Sequence, residues 1–350
     1  MIRVLIIDDS AFARNLLSKG LQNDTEIEVI GVAPDAYIGR DKIVFLKPDV
    51  ITLDIEMPKM DGIAFLKRLM PQYPLPVIIV SALAEPGARA TLEALEYGAV
   101  DFVLKPSSII GSGFKDMLED LKNKIKIASQ VDVTKWKRIT TSNYYHLKVN
   151  NASLALDRTT DKVIAIGAST GGTTALRKLV SNFPPDMPGT VIVQHMPPTF
   201  TKLFADKLNE ISAVQVKEAE TGDRIVTGRV LVAPGDKHLE VYRSGGNYLV
   251  RCKDGEKVNG HKPSVEVLFN SIAQNVGSNA IGIMLTGMGR DGADAMLNMK
   301  NKGARTFAQD EATSVVFGMP KEAYECGGAE RLIPLDSINS VIIETLRKMK

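Results

Sequence analysis

Short apolar runs, each followed by a segment long enough for a helix, recur along this chain in two separate series. The runs of the first series end at Ile7, Val32, Leu53, Val80 and Leu104. Apolar runs of this length are typical of parallel strands that are buried on both faces. Five such runs alternating with helical segments therefore predict a doubly wound α/β domain, of the flavodoxin-like kind.

The second series begins at Val163 and has the same alternation of strand and helix. Its strand-like runs are Val163–Ile166, Thr190–Val193, Val230–Val232, Ile281–Leu285 and Thr306–Ala308. Two alternating segments on either side of Ser244-Gly245-Gly246-Asn247, His238–Val241 and Tyr248–Arg251, favour a β-hairpin. We therefore predict a second parallel α/β domain, Rossmann-like, with an added hairpin.

The two series are separated by a polar stretch without hydrophobic periodicity. Residues 129–160 are rich in Ser, Thr, Asn and Lys, a composition that is typical of a solvated connector. A length of 350 residues suits two cores better than one. We place the first domain at residues 1–127, the linker at 128–158 and the second domain at 159–350.

Charge and cysteine content exclude several classes of protein. A net charge of +2 provides no general attraction to nucleic acid or to an anionic membrane. Two cysteines, Cys252 and Cys326, form neither a disulfide framework nor a zinc motif, which indicates a reducing cytoplasm. No apolar run approaches the ~20 residues of a spanning helix. We expect a cytoplasmic monomer that does not insert into membranes.

Polar side chains cluster at the predicted strand ends of the first domain. Asp8 and Asp9 follow the first strand and Asp54 follows the third, while Ser81 and Lys105 follow the fourth and fifth. The carboxyl ends of parallel strands meet at one edge of a sheet, where ligands bind. A hard cation such as Mg²⁺ relieves the repulsion among carboxylates. Each residue alone could be a turn or cap residue, but together they predict a phosphoryl site on Asp54.

The first domain resembles the receiver domain of bacterial two-component response regulators. The matching segments are Ile7–Ser10, Leu53–Gly62, Val80–Ala82 and Gly98–Pro106. The resemblance implies that Asp54 is the phosphoacceptor. It also implies that Asp9, Asp54 and the backbone carbonyl of Glu56 hold Mg²⁺, with Asp8 in the outer shell.

The same resemblance assigns residues that respond to phosphorylation. It implies that Ser81 and Lys105 contact the phosphoryl group and that Phe102 is the aromatic switch residue. It further implies a cis peptide bond at Lys105–Pro106.

A candidate nucleophile follows the first strand of the second domain. Gly167-Ala168-Ser169-Thr170-Gly171 fits G-x-S-x-G, the turn that exposes a reactive serine between a strand and a helix. The helix N-terminus would present backbone N–H groups to a developing oxyanion. A phosphate-binding loop is the alternative, but neither of its glycine patterns is present.

The base and the acid of a catalytic triad have candidates of unequal strength. His195 directly follows a strand and is the best base on topology, whereas His238 and His261 could line the cleft or serve as surface residues. Asp291 lies beyond another strand and could orient the imidazole or cap the next helix. The order Ser–His–Asp differs from that of α/β-hydrolases, so we do not infer that fold.

The second domain resembles the catalytic domain of the chemotaxis protein-glutamate methylesterases. The matching segments are Gly167–Gly172, Val193–Met196, Ala233–Leu239, His261–Val265, Thr286–Ala293, Ala308–Glu311 and Val316–Ala323. The resemblance implies Ser169 as nucleophile, His195 as general base and Asp291 as its orienting acid. It also implies the Met288 backbone N–H as an oxyanion donor and no cofactor for the hydrolase.

Together the two resemblances imply a hydrolase that is controlled by phosphorylation. Its substrates would be glutamate 5-methyl esters, and specific glutamines, in the cytoplasmic region of methyl-accepting chemoreceptors, with a chemotaxis histidine kinase as phosphodonor. Two alternatives stay open from the sequence: a DNA-binding response regulator and a small-molecule esterase under phosphorylation control. The strand-end Ser–His–Asp set and the near-neutral charge argue against DNA binding.

Overall fold

The chain falls into two compact units, Met1–Ser142 and Asn143–Lys350. The structure, a computed structural model, describes residues 1–82, 85–106, 112–133 and 161–349. Most of the predicted linker lies outside the described residues, so the boundaries at 127 and 159 stay predictions. Within the described ranges, no helix is both long enough and apolar enough to cross a membrane.

The first unit is a five-stranded parallel sheet with helices between the strands. Its elements are β1 Ile2–Ile7, α1 Ala11–Leu21, β2 Ile27–Ala33, α2 Ala36–Leu46, β3 Val50–Asp54, α3 Gly62–Gln72, β4 Val77–Ala82, α4 Glu85–Glu96, β5 Asp101–Lys105 and α5 Ser112–Ala128. The strand order is β2-β1-β3-β4-β5. Each predicted run became a strand, which confirms the doubly wound α/β fold.

Local sequence signals explain where these helices begin. The side chains of Ser10, Asp35 and Asp61 each accept a hydrogen bond from the backbone N–H three residues later, at 3.3, 2.9 and 2.7 Å. Such N-caps satisfy an amide that the first helical turn leaves unpaired, which stabilises a helix by about 1 kcal/mol. Helix α1 therefore starts directly after Asp8 and Asp9, the polar residues that follow β1.

The second unit is a seven-stranded parallel sheet with a separate hairpin. Its elements are β6 Val163–Ala168, α6 Gly172–Val180, β7 Gly189–Gln194, α7 Phe200–Ile211, β8 Gln215–Glu218, β9 Arg229–Val232, β10 His238–Ser244, β11 Asn247–Lys253, α8 Val265–Asn275, β12 Ala280–Met284, α9 Ala293–Asn301, β13 Arg305–Gln309, α10 Met319–Glu325, β14 Arg331–Ile333 and α11 Ile338–Lys348, with 3₁₀ turns at Gly277–Asn279 and Leu335–Ser337. Strands β10 and β11 pair antiparallel around the predicted turn, which confirms the hairpin.

Two strands of this sheet, β8 and β14, were not predicted from the sequence. They occupy the two edges of the order β14-β13-β12-β6-β7-β9-β8. Edge strands are solvated along one side and need no wholly apolar run. Polar residues such as Lys217 in β8 and Arg331 in β14 concealed the strand signal.

The strand order creates a crevice at the centre of the second sheet. On one side of β6 lie β7, β9 and β8, and on the other side lie β12, β13 and β14. In open α/β sheets, ligands bind beyond the carboxyl ends of the strands where the order reverses in this way. The loops that follow β6, β7 and β12 therefore meet at the expected position of a site.

Helix α8 supports this crevice from one face of the sheet. It packs against α9 and the hairpin strand β10, and its side chains Leu268, Phe269 and Ile272 are fully buried. Burying one such large apolar side chain stabilises the fold by about 2 kcal/mol. The N-terminus of α8 is thereby held close to the end of β12.

Candidate active site

The turn that carries Ser169 joins β6 to α6 and depends on glycine. Gly171 has a φ of 77°, in the left-handed region, and a Cβ there would lie 2.5 Å from Val315 Cβ. A Cβ on Gly172 would lie 2.2 Å from Gln194 Oε1. A side chain at either position would therefore displace the turn. The Ser169 backbone donates N–H to Thr286 O at 3.0 Å and accepts from Gly172 N at 2.7 Å, which fixes the turn at the end of β12.

Three polar side chains from neighbouring strand ends lie in line. Ser169 Oγ is 3.2 Å from His195 Nδ1, and His195 Nε2 is 2.8 Å from Asp291 Oδ2. They follow β6, β7 and β12, which are adjacent in the sheet. The structure thus brings together the serine, the best-placed histidine and the acid that the sequence singled out, in the arrangement of nucleophile, base and orienting carboxylate.

The neighbours of His195 fix its tautomer. Asp291 is ionised and only accepts hydrogen bonds, so the neutral imidazole carries its proton on Nε2. Its Nδ1 lone pair then faces Ser169 Oγ and can accept the serine proton. Proton acceptance by Nδ1 gives an imidazolium whose Nε2–H still donates to the carboxylate.

Asp291 is buried and satisfied entirely by donors. The donors are His195 Nε2 at 2.8 Å, Val265 N at 2.7 Å, Ser264 Oγ at 2.7 Å, Asn259 Nδ2 at 2.9 Å and Glu266 N at 3.3 Å. Burial by itself would raise the pKa of Asp291, but the hydrogen bonds from His195, Asn259 and Ser264 outweigh it and lower the pKa to about 2. The carboxylate is therefore charged throughout the physiological range.

The alternative reading of Asp291 as the cap of the next helix is wrong. The N-cap of α9 is Gly292, with no side-chain cap bond. Asp291 instead accepts from the first two amides of α8, which Ser264 also caps at 3.1 Å. A carboxylate at a helix N-terminus gains from the helix dipole. Tertiary packing of α8 against the end of β12 decided which helix this aspartate serves.

The other two histidines of the second unit take different positions. His238 is buried, with Nε2 2.8 Å from Glu256 O and Nδ1 accepting from Ser264 N at 3.3 Å, so it supports the loop that carries Ser264. His261 lies against His195, with ring centroids 3.7 Å apart and an interplanar angle of 10°. Neither is the base facing Ser169, and neither is a plain surface residue.

Three residues of the site were missed by sequence reasoning. Asn259 and Ser264 bind Asp291, and Gln194 Nε2 donates to the carbonyls of Ser169 at 2.9 Å and His195 at 3.4 Å. Gln194 precedes His195 at the end of a predicted buried strand. A buried side-chain amide needs hydrogen-bond partners, so the sequence could have indicated a structural role for Gln194. Ser264 precedes an apolar helix start and could have been predicted as its N-cap, but nothing local indicated that Ser264 or Asn259 contacts Asp291.

Met288 lies in a loop that passes tightly against the nucleophile. A Cβ on Gly287 would lie 2.8 Å from Ser169 Cβ, and Gly287 O accepts from Gly318 N and Met319 N at 3.2 and 2.8 Å. Within the described ranges, the Met288 N–H donates to no acceptor, and the side chain is exposed. An amide left open beside the serine can meet a developing oxyanion.

The first unit collects its polar residues at the carboxyl edge of its sheet. Lys105 Nζ lies 2.6 Å from Asp54 Oδ2 and 2.8 Å from Asp8 Oδ2, and both carboxylates are buried. Burial raises the pKa of Asp54 to about 6, although the Lys105 charge opposes the shift. Carboxylate oxygens of Asp8, the exposed Asp9 and Asp54 lie within 4.8 Å of one another.

This donor set fits a divalent cation. One lysine faces three carboxylates, so negative charge remains in excess, and oxygen ligands are those that Mg²⁺ prefers. Asp8, Asp9, Asp54 and the carbonyl of Glu56 are the groups available to hold it; the Glu56 N–H lies 3.4 Å from Asp54 Oδ1.

Ser81 and Phe102 are both buried, Ser81 near the carboxyl end of β4 and Phe102 near the start of β5. Ser81 Oγ lies 3.5 Å from Gly87 O, and Lys124 Nζ contacts the Phe102 carbonyl at 2.6 Å. The expected cis bond at Lys105–Pro106 is wrong: among the described residues, the cis bond is Lys262–Pro263. Lys105 reaches both carboxylates with the trans form, which X–Pro bonds ordinarily prefer.

Comparison with known proteins agrees with both units. The family model of the CheB methylesterase matches residues 164–342, and that of the response regulator receiver domain matches residues 4–110. The catalytic domain of the Thermotoga maritima CheB methylesterase, a crystal structure, is 39% identical with a TM-score of 0.52, covering 53% of this chain and 98% of that one.

Two relatives match along the whole chain. A protein-glutamate methylesterase/protein-glutamine glutaminase of Syntrophotalea carbinolica is 58% identical over 349 residues, covering 100% of this chain and 99% of the relative. One of Sulfurimonas denitrificans is 54% identical over 355 residues, covering 100% and 99%. The resemblance drawn from the sequence is confirmed, and the chain belongs to the protein-glutamate methylesterase/protein-glutamine glutaminase family.

Proposed function

We propose that this chain is a phosphorylation-regulated serine hydrolase that demethylates glutamate 5-methyl esters on chemoreceptors and deamidates specific glutamines there. The observation that carries the proposal is the line from Ser169 Oγ through His195 to the buried, donor-saturated Asp291. The full-length match to methylesterase relatives supports the substrate class.

Acylation begins when Ser169 Oγ attacks the ester carbonyl and transfers its proton to His195 Nδ1. The imidazolium is held by Asp291, whose charge stabilises it. The tetrahedral oxyanion is placed beside the Met288 N–H and the N-terminus of α6, our proposed donors. Collapse breaks the C–O bond, and Nδ1–H protonates the methoxide to release methanol.

Deacylation repeats the same proton transfers with water as nucleophile. His195 Nδ1 takes a proton from water, hydroxide attacks the acyl-serine, and Ser169 recovers its proton as glutamate leaves. A glutamine side chain follows the same path, with ammonia leaving in place of methanol. Nothing in these steps requires a cofactor in the second unit.

The receiver unit supplies the control. Asp54 is the proposed phosphoacceptor, with Lys105 and Ser81 as contacts for the phosphoryl oxygens and Phe102 as the residue that responds. Bound Mg²⁺, held by Asp9, Asp54 and the carbonyl of Glu56 with Asp8 in the outer shell, would neutralise charge on the transferring oxygens.

Partners and location follow from the same reasoning. The phosphodonor is a chemotaxis histidine kinase, and the substrate is the cytoplasmic region of methyl-accepting chemoreceptors. Both cysteines are free, which suits a reducing cytoplasm. A net charge of +2 provides no general attraction to nucleic acid, and we propose that the protein is a monomer.

The test is release of methanol from methyl-labelled receptor membranes by the full-length protein. Ser169→Ala should lower the rate by on the order of 10⁶-fold with folding intact, and adding His195→Ala should cost little more. Ser244→Ala, at the exposed hairpin turn, is the matched control. Retention of more than about a tenth of the rate in Ser169→Ala would reject this mechanism, because a triad serine contributes far more. Hydrolysis of small esters with no release from receptors would favour the small-molecule esterase.

A further inference from the structure

The ring of His261 covers one face of the catalytic imidazole. The two centroids are 3.7 Å apart and the planes differ by 10°, so the rings overlap face to face. His261 is half-buried, whereas the His195 side chain is only 7% exposed. The stack therefore shields a face of His195 that would otherwise meet solvent.

The hydrogen bonds of His195 leave one motion poorly restrained. Its contacts to Ser169 at 3.2 Å and to Asp291 at 2.8 Å both lie at the rim of the ring. Hydrogen bonds prefer angles above ~150° but weaken steeply only below ~120°, so these two contacts resist a tilt of the ring plane only weakly. A flat ring packed against the face resists that tilt directly, because tilting would force the two rings into overlap.

His261 is itself held firmly enough to act as such a support. Its backbone N–H donates to Val258 O at 3.0 Å, and its carbonyl accepts from Val258 N at 3.1 Å. The next residue, Lys262, contacts Asp236 at 3.1 Å and the Gly255 carbonyl at 3.1 Å. These bonds close a compact loop with His261 near its end.

The same loop also supplies two donors to the acid of the triad. Asn259 and Ser264 bind Asp291 Oδ1 at 2.9 and 2.7 Å. Residues 258–264, which we call the support loop, thus contact both His195 and Asp291. A single element sets the plane of the base and the position of its acid.

We propose that His261 is a positioning residue, which holds the His195 imidazole plane in line for proton transfer with Ser169 Oγ. The inference rests on the triad proposed above. His195 must accept and return a proton in both half-reactions, and each transfer needs Nδ1 aligned with its partner. A misplacement on the order of 1 Å can cost about 100-fold in rate. This support depends on a flat ring at position 261, because only a flat ring can pack face to face on the His195 imidazole.

The experiment compares His261→Ala, His261→Leu and His261→Phe in the full-length protein. Two assays are used. The first measures kcat and KM on methylated receptor membranes. The second measures the rate at which a small fluorophosphonate labels Ser169, a reaction that needs no receptor docking. Lys257→Ala, an exposed neighbour just outside the support loop, is the control. Melting temperatures verify folding.

We expect His261→Ala and His261→Leu to lower kcat and the labelling rate by about 10- to 100-fold, with little change in KM. Phe, which restores a flat ring, should recover most of both rates. Normal rates in His261→Ala, a change in KM alone, or a Phe variant as slow as Ala would each overturn the proposal. If Ala does not fold, the comparison of Phe with Leu decides. Activity remaining in Ser169→Ala would instead reject the proposed function.

Discussion

Nε2 of His195 lies 2.8 Å from Oδ2 of Asp291. Because the aspartate takes this nitrogen, the base that faces Ser169 is Nδ1, the nitrogen nearer the backbone. The arrangement follows from the sheet, since His195 follows β7 beside the end of β6, and the first amide of α8 holds Asp291. All five hydrogen-bond partners of Asp291 are donors, so the site requires the ionised carboxylate, which only accepts.

Asp291→Asn should lower kcat by on the order of 10⁴-fold, as loss of the correct imidazole tautomer does in a triad. All five partners of Asp291 donate, so either orientation of an amide turns its NH₂ toward a donor. The measurement is methanol release by the full-length protein. Asp294→Asn, on the exposed start of α9, is the matched control. A loss below about tenfold would contradict the assigned role.

The stability that Asp291 contributes should disappear in acid. Its pKa is about 2 in the folded chain against 3.8 for an ordinary aspartate side chain, so the unfolded chain binds more protons between these values. The contribution, on the order of 2 kcal/mol, is present above pH ~4 and is lost as pH falls toward ~2.

Calorimetry of the wild type and Asp291→Asn tests this sign. At pH 7 the variant should melt lower, in the transition that belongs to the second unit. The gap between the two melting temperatures should narrow below pH ~4, since the wild-type carboxylate is then being protonated. A gap that stays constant or widens in acid would show that the Asp291 charge does not stabilise the fold.

Asp9→Asn should weaken Mg²⁺ binding and slow phosphorylation of Asp54 by a small phosphodonor. Asp9 is exposed, so the substitution removes a ligand charge without disturbing the buried pair of Asp54 and Lys105. Titration calorimetry with Mg²⁺ measures the affinity, and Asp41→Asn, an exposed carboxylate on α2, is the control. Undiminished phosphorylation in excess chelator would refute the proposed metal site, and labelling that persists in Asp54→Asn would refute Asp54 as the phosphoacceptor.

Phosphorylation should raise the rate of methanol release from receptor membranes. A coupling of about 1–3 kcal/mol between the two units corresponds to a roughly 5- to 150-fold change. The full-length protein is assayed with and without phosphodonor and Mg²⁺, and Asp54→Asn serves as the unphosphorylatable control. Equal rates in all conditions would show that the receiver does not control this hydrolase.

The sequence by itself determined the two parallel α/β units, because a short, mainly apolar run is a local property of a buried strand. It also located Ser169 and His195 directly after such strands and Asp291 in the loop that follows β12. The sequence did not predict the edge strands β8 and β14, because their solvated side carries polar residues that interrupt the apolar run.

Only the tertiary structure decided which strand ends are neighbours and which side chains meet. The order β12-β6-β7 places Asp291 beside His195 although 96 residues separate them, and no local pattern encodes a contact at that distance. The same holds for His261, whose stacking on His195 arises from a loop closed by its own backbone bonds. Residue types and hydrophobic periodicity are local properties of the sequence, whereas the partner of a polar group depends on the packing of elements that are far apart in the chain.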